Sequence, residues 1–588
     1  MKKITDSIEE VVKSAFKNAG YEESYGTVQI SNRPDLCQYQ CNGAMSAAKA
    51  YHKAPFMIAD DVVALLKDDS MFESVESVKP GFINITLAPA YISEYVKGMA
   101  EDDNLGFEKT SNPKKIVIDY GGPNVAKPLH VGHLRAAIIG ESIKRILKYT
   151  GNSVIGDVHL GDWGLQIGLI ITELEVRKPE LPYFDEAYEG DYPTEAPFTM
   201  EELEQIYPYA SGFSKQNPEY LAKAGQATAD LQNGRRGYRA LWQHIIDVSV
   251  ADIKKNYEKL NVEFDLWKKE SDAQEYIPDM VKMMKEKGYA YESDGALVVD
   301  VKQPEDKKEI PPCIILKSNG ATNYETTDLA TIIERIKLFN AEEIIYVVDK
   351  RQELHFDQVF RCARKTGLVN DDTDLVFIGF GTMNGKDGKP FKTRDGGVLR
   401  LETLIKEIND AVYARIMENR EMEEEEARSI AATVGLSALK YGDLSNQASK
   451  DYVFDVDRFV SFEGNTGPYV LYSIVRIKSV LNKFVNEGGS LAKTNIIEPA
   501  NESETNVMLQ LLRYNEVIMQ AATDKAPHKI CQYIYELSDA FNSFYHGNKI
   551  LSEENEERKN SWIALVILVK RVLEQCIDLL GFDAPEKM

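Results

Sequence analysis

Hydrophobic and polar positions between residues 115 and 164 predict a strand, a loop, a helix and a second strand. An apolar run over residues 116–118 ends at Gly121, as a buried parallel strand leaving a sheet does. Four apolar residues then follow helical spacing: Ile139, Ile143, Ile146 and Leu147. Val154 begins the next strand and completes a βαβ unit. Its loop lies at the carboxyl end of a strand, where open α/β sheets bind ligands.

The loop of this unit combines two histidines with positive charge. It carries the tetrad His130-Val131-Gly132-His133 just after Lys127. Residues 108–150 hold eight Lys or Arg against three acids, whereas the whole chain has a formal charge of −24. A helix amino terminus with such a local field suits an anionic ligand such as a nucleotide phosphate. Alternatively, the histidines merely cap the helix or bind a metal with a distant third ligand.

The tetrad stands within PNVAKPLHVGHLR, and GDWGLQIG follows at residues 161–168. Together these motifs resemble the signature of the class I aminoacyl-tRNA synthetases, and within them the arginyl-tRNA synthetase family. The resemblance implies ATP binding by His130, Gly132 and His133. It also implies that the two histidines and Lys127 are catalytic.

A glycine-rich segment at residues 379–405 occupies the place of the second class I signature. Its sequence FKTRDG departs from the usual Lys-Met-Ser-Lys-Ser form, because the second lysine is missing. The resemblance makes Lys392 catalytic and assigns Lys392 and Thr393 to ATP binding. Many members of the family have a lysine at the position of Lys127, which would compensate. A plain surface turn is the alternative.

The residue types that select a guanidinium group are carboxylates and aromatic rings. Residues 323–338 are predicted to be a helix with Tyr324 and Asp328 on one face, and a strand from residue 344 ends near Asp349, Gln352 and His355. The family resemblance implies that the arginine pocket is lined by the following residues: Asp119, Asn124, His130, Tyr324, Asp328 and Gln352. The alternatives are a helix cap for Asp119 and an exposed helix face for Asp328.

The segments on either side of the βαβ unit predict a multidomain α/β protein. Residues 109–405 form a Rossmann-like parallel-sheet catalytic domain with an insertion at about 175–295, in which residues 180–204 hold nine acids and no Lys or Arg and form a solvated face. Strands at residues 296–301 and 313–317 are predicted to resume the parallel sheet.

The amino-terminal part, residues 1–108, is predicted to be a small α+β domain. It starts with an amphipathic helix rather than a signal peptide, and residues 81–89 are predicted to be an edge strand. The resemblance implies an appended domain that contacts the elbow of the tRNA. A plain solubilising domain is the alternative.

The carboxyl-terminal part is predicted to be helical, with a connector at residues 406–455 and an all-α anticodon-binding bundle at residues 456–588. Tyr469, Tyr472 and Arg476 offer aromatic faces for unpaired bases beside a charge for phosphate, so they are candidate tRNA-binding residues. Either tyrosine could instead be buried between helices.

The length, composition and cysteine content of the chain narrow the class of protein. A chain of 588 residues with 43% hydrophobic and 28% charged residues should fold into about three or four domains. Six scattered cysteines predict reduced, mostly buried thiols and no zinc site, so no protein-held metal is expected. No apolar run reaches membrane-spanning length, which favours a cytoplasmic protein.

The reaction that the resemblance implies joins L-arginine to tRNA(Arg) in two steps. The arginine carboxylate attacks the α-phosphorus of ATP, with Mg²⁺ on the pyrophosphate, and a terminal ribose hydroxyl of the tRNA then takes the arginyl group. The family is commonly monomeric and usually requires tRNA for activation. The alternatives are another class I synthetase, a small nucleotidyltransferase, and a catalytically dead relative that binds tRNA.

Overall fold

An antiparallel four-stranded sheet organises the amino-terminal part of the computed structural model, which describes residues 1–389, 399–419 and 422–588. The elements are α1 (Ile4–Asn18), β1 (Val28–Ile30), β2 (Tyr39–Cys41), α2 (Gly43–Tyr51), α3 (Pro55–Leu66), β3 (Phe72–Val78), β4 (Phe82–Leu87) and α4 (Pro89–Glu101). The order is β1-β2-β4-β3, so β4 is an interior strand and the prediction of an edge strand at residues 81–89 is wrong. Alternating burial of Ile83, Ile85 and Leu87 reveals a covered face, but it does not reveal how many strands flank it.

The predicted βαβ unit forms one end of a parallel sheet, in which β6 is the last strand. It comprises β5 (Lys115–Tyr120), α5 (Val131–Tyr149) and β6 (Ser153–Asp157). The sheet is completed by β10 (Glu343–Asp349) and β11 (Asp374–Phe380), in the order β11-β10-β5-β6 with every pair parallel. Residues 116–118 are buried, as expected for a strand covered on both faces.

Between β6 and β10 the chain builds an insertion and a second sheet. The elements are α6 (Leu165–Arg177), α7 (Met200–Ser214), α8 (Pro218–Gln232), α9 (Arg236–Lys259), α10 (Ile277–Glu286), β7 (Ala290–Ser293), β8 (Ala296–Val299), β9 (Cys313–Leu316) and α11 (Tyr324–Phe339). Seven of the nine acids in residues 180–204 are exposed.

The strands predicted at residues 296–301 and 313–317 form, but they do not resume the parallel sheet. They are β8 and β9, which pair with β7 in a separate antiparallel sheet, so that prediction is wrong. The proline-containing connection at residues 302–312 turns β9 back beside β8. The parallel sheet instead resumes at β10, whose first five residues are all buried.

The rest of the chain is mostly helical. Its elements are α12 (Glu353–Lys365), β12 (Met383–Asn384), α13 (Leu401–Asn419), α14 (Glu424–Leu444), β13 (Tyr452–Val453), α15 (Val456–Phe459), α16 (Gly467–Asn486), α17 (Glu502–Leu512), α18 (Tyr514–Thr523), α19 (His528–Gly547) and α20 (Glu556–Leu579). Among the described helices none is long and apolar enough to cross a bilayer. All six cysteines are buried and outside disulfides, which confirms the prediction of reduced, mostly buried thiols.

The last turn of α20 docks onto α5 and α14. The carbonyl of Leu579 accepts from Ser142 Oγ at 2.9 Å, and that of Gly581 accepts from Lys440 Nζ at 2.7 Å. Lys440 is fully buried, and it also donates to the carbonyl of Asn261 at 3.2 Å. Burial lowers the pKa of Lys440 to about 7, although the charge of Glu141 opposes the shift.

The buried Lys440 predicts a pH-dependent stability. Between pH 7 and pH 10 the unfolded chain binds a proton at this residue that the folded chain has lost, so this group makes the folded state more stable as pH rises. Wild type should therefore gain melting temperature relative to Lys440→Met across this interval, as measured by calorimetry. Lys285→Met on the exposed side of α10 is the control, and a constant difference for Lys440→Met would contradict the prediction.

Candidate active site

Neighbouring parallel strands end together at the predicted site. In the register of the sheet, Asp119 of β5 pairs with Tyr346 of β10 on one side and with Asp157 of β6 on the other. The carboxyl ends of these strands share one edge, so the loops that follow them face one crevice.

The loop after β5 is held against the loop after β6. Val125 N–H donates to the carbonyl of Gly161 at 3.0 Å, and Gly161 N–H donates to the carbonyl of Pro123 at 3.2 Å. A Cβ at position 161 would lie 2.1 Å from Asn124 Oδ1, so this close approach requires glycine. The GDWG motif thereby supports Asn124, which is exposed at the sheet edge.

The two histidines of the tetrad cap α5 and contact each other. His130 Nδ1 accepts from the N–H of Gly132 at 3.0 Å, and His133 Nδ1 accepts from the N–H of His130 at 3.2 Å. Their ring centroids are 3.9 Å apart. Because each Nδ1 is an acceptor, the hydrogen-bond network assigns the proton of a neutral ring to Nε2. The capping geometry is present, and it leaves both Nε2–H groups for a ligand.

Both histidines are neutral near pH 7. Burial, and then the charge of Lys127, lowers the pKa of His130. Burial, and then the charges of His130 and Lys127, lower the pKa of His133 to about 3. The histidines therefore offer hydrogen-bond donors, while the positive charge at this loop comes from Lys127 and the amino terminus of α5.

Helix α7 of the insertion reaches this loop. Lys127 Nζ lies 4.5 Å from the ring centroid of Tyr207, and Glu204 on the same helix forms an ion pair with Arg400. Arg400 lies opposite His130 in an antiparallel bridge. The predicted ATP-binding residues Lys392 and Thr393 lie outside the described residues.

Two of the predicted arginine-binding carboxylates are paired with cations of the chain itself. Asp328 Oδ2 lies 2.5 Å from His355 Nε2, and Asp119 Oδ2 accepts from Arg335 Nη2 at 2.5 Å. Burial raises the pKa of Tyr346. The charges of Asp119 and Asp328 add to this rise, and Arg335 opposes it. Asp119 pairs with Tyr346 across the sheet, and its partner Arg335 lies on the same face of α11 as Asp328, so the structure brings both carboxylates into one region.

Tyr324 and Gln352 are both exposed at the surface. Tyr324 is 73% exposed at the start of α11, and Gln352 is exposed in the turn between β10 and α12. In the described part of the chain no hydrogen bond joins either residue to another predicted site residue.

Sequence reasoning missed Glu270 and the roles of His355 and Arg335. Burial raises the pKa of Glu270 to about 7. The charges of Asp162 and Asp328 add to this rise, and His159 opposes it. Arg335 lies seven residues after Asp328 and so on the same face of α11, a spacing that could have identified it. No local pattern identifies Glu270, because the fold brings it to the site from a 3₁₀ turn at Glu270–Tyr276.

One group in the described chain has the geometry of a metal site. Ligand atoms of Asp119, Asp157 and His159 lie within 4.8 Å of one another. Arg335 Nη2 contacts both carboxylates, at 2.5 Å and 2.8 Å, so a guanidinium group already serves as their cation. We therefore assign no metal to this group.

The three predicted tRNA-binding residues form one cluster on α16. Arg476 Nη2 donates to the Tyr472 hydroxyl at 3.1 Å, and its guanidinium lies 4.7 Å from that ring and 5.0 Å from the ring of Tyr545. Asn542 connects Arg476 to the Tyr469 hydroxyl, to which it donates at 3.0 Å. Tyr472 is 38% exposed, so its ring is available at the surface.

Comparisons with known proteins agree along the whole chain. Residues 96–456 match the family described as tRNA synthetases class I (R), catalytic domain, residues 470–588 match the DALR anticodon binding domain, and residues 2–87 match the arginyl tRNA synthetase N terminal domain. Arginine–tRNA ligases of Agathobacter rectalis and Alkaliphilus oremlandii are 63% and 56% identical, with 100% of each chain covered. The arginyl-tRNA synthetase of Plasmodium falciparum is 25% identical, with 100% of each chain covered and a TM-score of 0.83.

The pair of His355 and Asp328 predicts a second pH dependence. Although burial opposes it, Asp328 and Glu325 raise the pKa of His355 from 6.5 to about 9. Stabilisation by this pair is therefore fully present below pH 6.5 and is lost as pH rises through 9. His355→Gln should cost about 1 to 2 kcal/mol in the free energy of unfolding at acidic pH and nothing by pH 10.

Chemical denaturation at several pH values measures this difference. His546→Gln, at an exposed position on α19, is the matched control. A cost of His355→Gln that persists unchanged at pH 10 would show that the residue acts through packing rather than charge.

Proposed function

This chain belongs to the arginyl-tRNA synthetase family, and we propose that the crevice between the His130 loop and Asp328 is where it joins L-arginine to tRNA(Arg). The reaction uses ATP, forms arginyl-adenylate, and releases pyrophosphate and then AMP. The observation that carries the assignment to this crevice is the neutral histidine pair at the amino terminus of α5, beside the carboxylates at the strand ends.

In the first step the arginine carboxylate attacks the α-phosphorus of ATP. This displacement requires positioning and charge stabilisation rather than a protein nucleophile. The Nε2–H groups of His130 and His133 would donate to phosphate oxygens, with the amino terminus of α5 and Lys127 adding positive potential. Gly132 has no side chain, so the adenine ring or ribose can approach the backbone. Lys392 and Thr393 would assist from the second signature.

Substrate selection depends on the guanidinium group of arginine. We assign its recognition to Asp119 and Asp328, because a carboxylate accepts charge-assisted hydrogen bonds from such a group. Tyr324 would cover it with an aromatic face. Asn124, His130 and Gln352 would hold the α-amino and carboxylate groups.

In the second step a terminal ribose hydroxyl of tRNA(Arg) takes the arginyl group. Tyr469, Tyr472 and Arg476 would bind unpaired bases in the anticodon-binding bundle. Helix α5 connects the two sites, because it begins at the histidine pair and Ser142 within it contacts the end of α20. This connection supports activation that depends on tRNA.

The ion that accompanies ATP is Mg²⁺ in this proposal. Between residues 121 and 133 the side chains include no carboxylate, so this loop does not fit a protein-held Mg²⁺, which prefers oxygen ligands. The ion would enter with the phosphates and supply countercharge there.

The organisation of the chain follows from the same proposal. Residues 1–108 would contact the tRNA elbow, residues 109–405 catalyse, residues 406–455 connect, and residues 456–588 bind the anticodon. We propose a cytoplasmic monomer.

Pyrophosphate exchange into ATP tests the proposed function directly. We expect exchange that requires arginine and appears when tRNA(Arg) is added, with lysine and glutamine as negative controls. Exchange with another amino acid would refute the pocket assignment. Absence of exchange under all conditions would identify a catalytically inactive relative.

Replacing Asp328 tests the pocket. Asp328→Asn removes one of the two charged partners of the substrate guanidinium, so kcat/KM for arginine should fall by at least about 100-fold while KM for ATP stays unchanged. Glu325→Gln is the matched control, since Glu325 is the other acidic neighbour of His355, at 3.7 Å. Near-normal KM for arginine in folded Asp328→Asn would contradict the assignment.

A further inference from the structure

Arg335 is the most completely buried cation near the proposed arginine pocket. Its side chain is 1% exposed, and one nitrogen, Nη2, donates to Asp119 Oδ2 at 2.5 Å and to Asp157 Oδ2 at 2.8 Å. Its guanidinium also lies 5.2 Å from the ring centroid of Tyr346. These three partners occupy one row across the sheet, since Tyr346 pairs with Asp119 and Asp119 pairs with Asp157.

The two carboxylates of this row differ in how they are held. Asp157 Oδ1 also accepts from the backbone N–H groups of His159 and Lys268, each at 3.3 Å, so its orientation does not depend on Arg335 alone. Arg335 is the only hydrogen-bond donor to the Asp119 carboxylate among residues 1–389, 399–419 and 422–588. The orientation of Asp119 therefore depends on Arg335.

Asp119 is also the member of the pair that retains access to the crevice. Its side chain is 14% exposed, whereas that of Asp157 is 2% exposed. A carboxylate has two oxygens and can accept from more than one donor. With Oδ2 bound to Arg335, Oδ1 is the oxygen that can face a ligand.

We propose that Arg335 is a positioning residue for arginine selection, which fixes Asp119 through Oδ2 so that Oδ1 receives the guanidinium group of the substrate. The inference rests on the proposed assignment of Asp119 to the arginine pocket. The inference adds that the guanidinium of Arg335 binds the same carboxylate on the side away from the substrate.

Charge gives a second reason for this role. Asp119 and Asp157 are adjacent and largely buried, so without a cation between them one would bind a proton. A protonated Asp119 would form a weaker, neutral hydrogen bond to the substrate. Burial raises the pKa of Asp119, and the charges of Arg335 and His159 oppose that rise. Arg335 therefore favours the ionised form of Asp119 as well as orienting its carboxylate. A lysine would keep the charge, but its side chain is shorter and flexible, so its ammonium group would not hold Asp119 Oδ2 and Asp157 Oδ2 in the same positions.

Arg335→Lys is the variant that tests the proposal, with arginylation of tRNA(Arg) measured at a temperature where all variants are folded. We expect KM for arginine to rise by about 10- to 100-fold, while KM for ATP stays within about twofold of wild type. Arg135→Lys is the matched control: Arg135 is 2% exposed and pairs with Asp443 at 2.9 Å, away from Asp119. It should lose stability without raising KM for arginine.

Citrulline provides a readout that a purely structural role would not change. It carries a neutral urea in place of the guanidinium, so it gains less from an ionised, oriented Asp119. The inhibition constant of citrulline should change less than KM for arginine in Arg335→Lys, which reduces the preference for arginine. A structural defect would weaken both ligands equally.

Asp119→Asn separates failure of this inference from failure of the proposed pocket. If Asp119→Asn raises KM for arginine but Arg335→Lys does not, the positioning role of Arg335 is refuted. Equal effects of Arg335→Lys and Arg135→Lys, or equal effects on arginine and citrulline, would refute it too. If Asp119→Asn leaves KM for arginine unchanged, the assignment of Asp119 fails and the inference fails with it.

Discussion

Glu141 lies almost fully buried in the middle of α5 and is bonded to groups from three parts of the chain. Tyr120, at the end of β5, donates to it at 2.8 Å, and the backbone N–H of Glu263 donates at 3.1 Å. Lys144 and Arg145 form ion pairs with it at 2.8 Å and 2.7 Å. A buried carboxylate is tolerated only when its oxygens are satisfied in this way. The angle of α5 relative to the sheet is consequently fixed by groups that must all be in place together.

The position of the histidine pair follows from that constraint. His130 and His133 lie at the amino terminus of the same helix, so any rotation of α5 about Glu141 would move them relative to the strand ends. Arg145 extends the connection to the carboxyl terminus, because it also pairs with Asp578 at 3.0 Å. The helical bundle and the His130 loop are thus joined through one helix, which gives a contiguous route by which the two regions can be coupled.

The sequence was sufficient where the signal is local. The strand–loop–helix around the tetrad, the Tyr324–Asp328 helix and the Arg476 cluster could be predicted because their periodicity or spacing lies within one element. The position of β4 in its sheet and the separate sheet of β8 and β9 could not, because strand neighbours are set by distant pairing. The contact of Arg335 with Asp119 joins residues 216 positions apart, and only the fold shows it. The charge state of His133 likewise depends on burial, which its motif does not encode.

An empty cation-binding pocket is electrostatically unfavourable, because carboxylates that lie close together repel one another and tend to bind protons. Here each of the two proposed arginine-binding carboxylates has an internal cation, Arg335 for Asp119 and His355 for Asp328. Each cation occupies one oxygen and stabilises the ionised form before substrate arrives. In the proposed pocket both carboxylates are thereby oriented before the substrate arrives. In this proposal, selectivity depends on whether the incoming group is charged and planar, since a neutral or point-charge ligand would satisfy the two remaining oxygens less well.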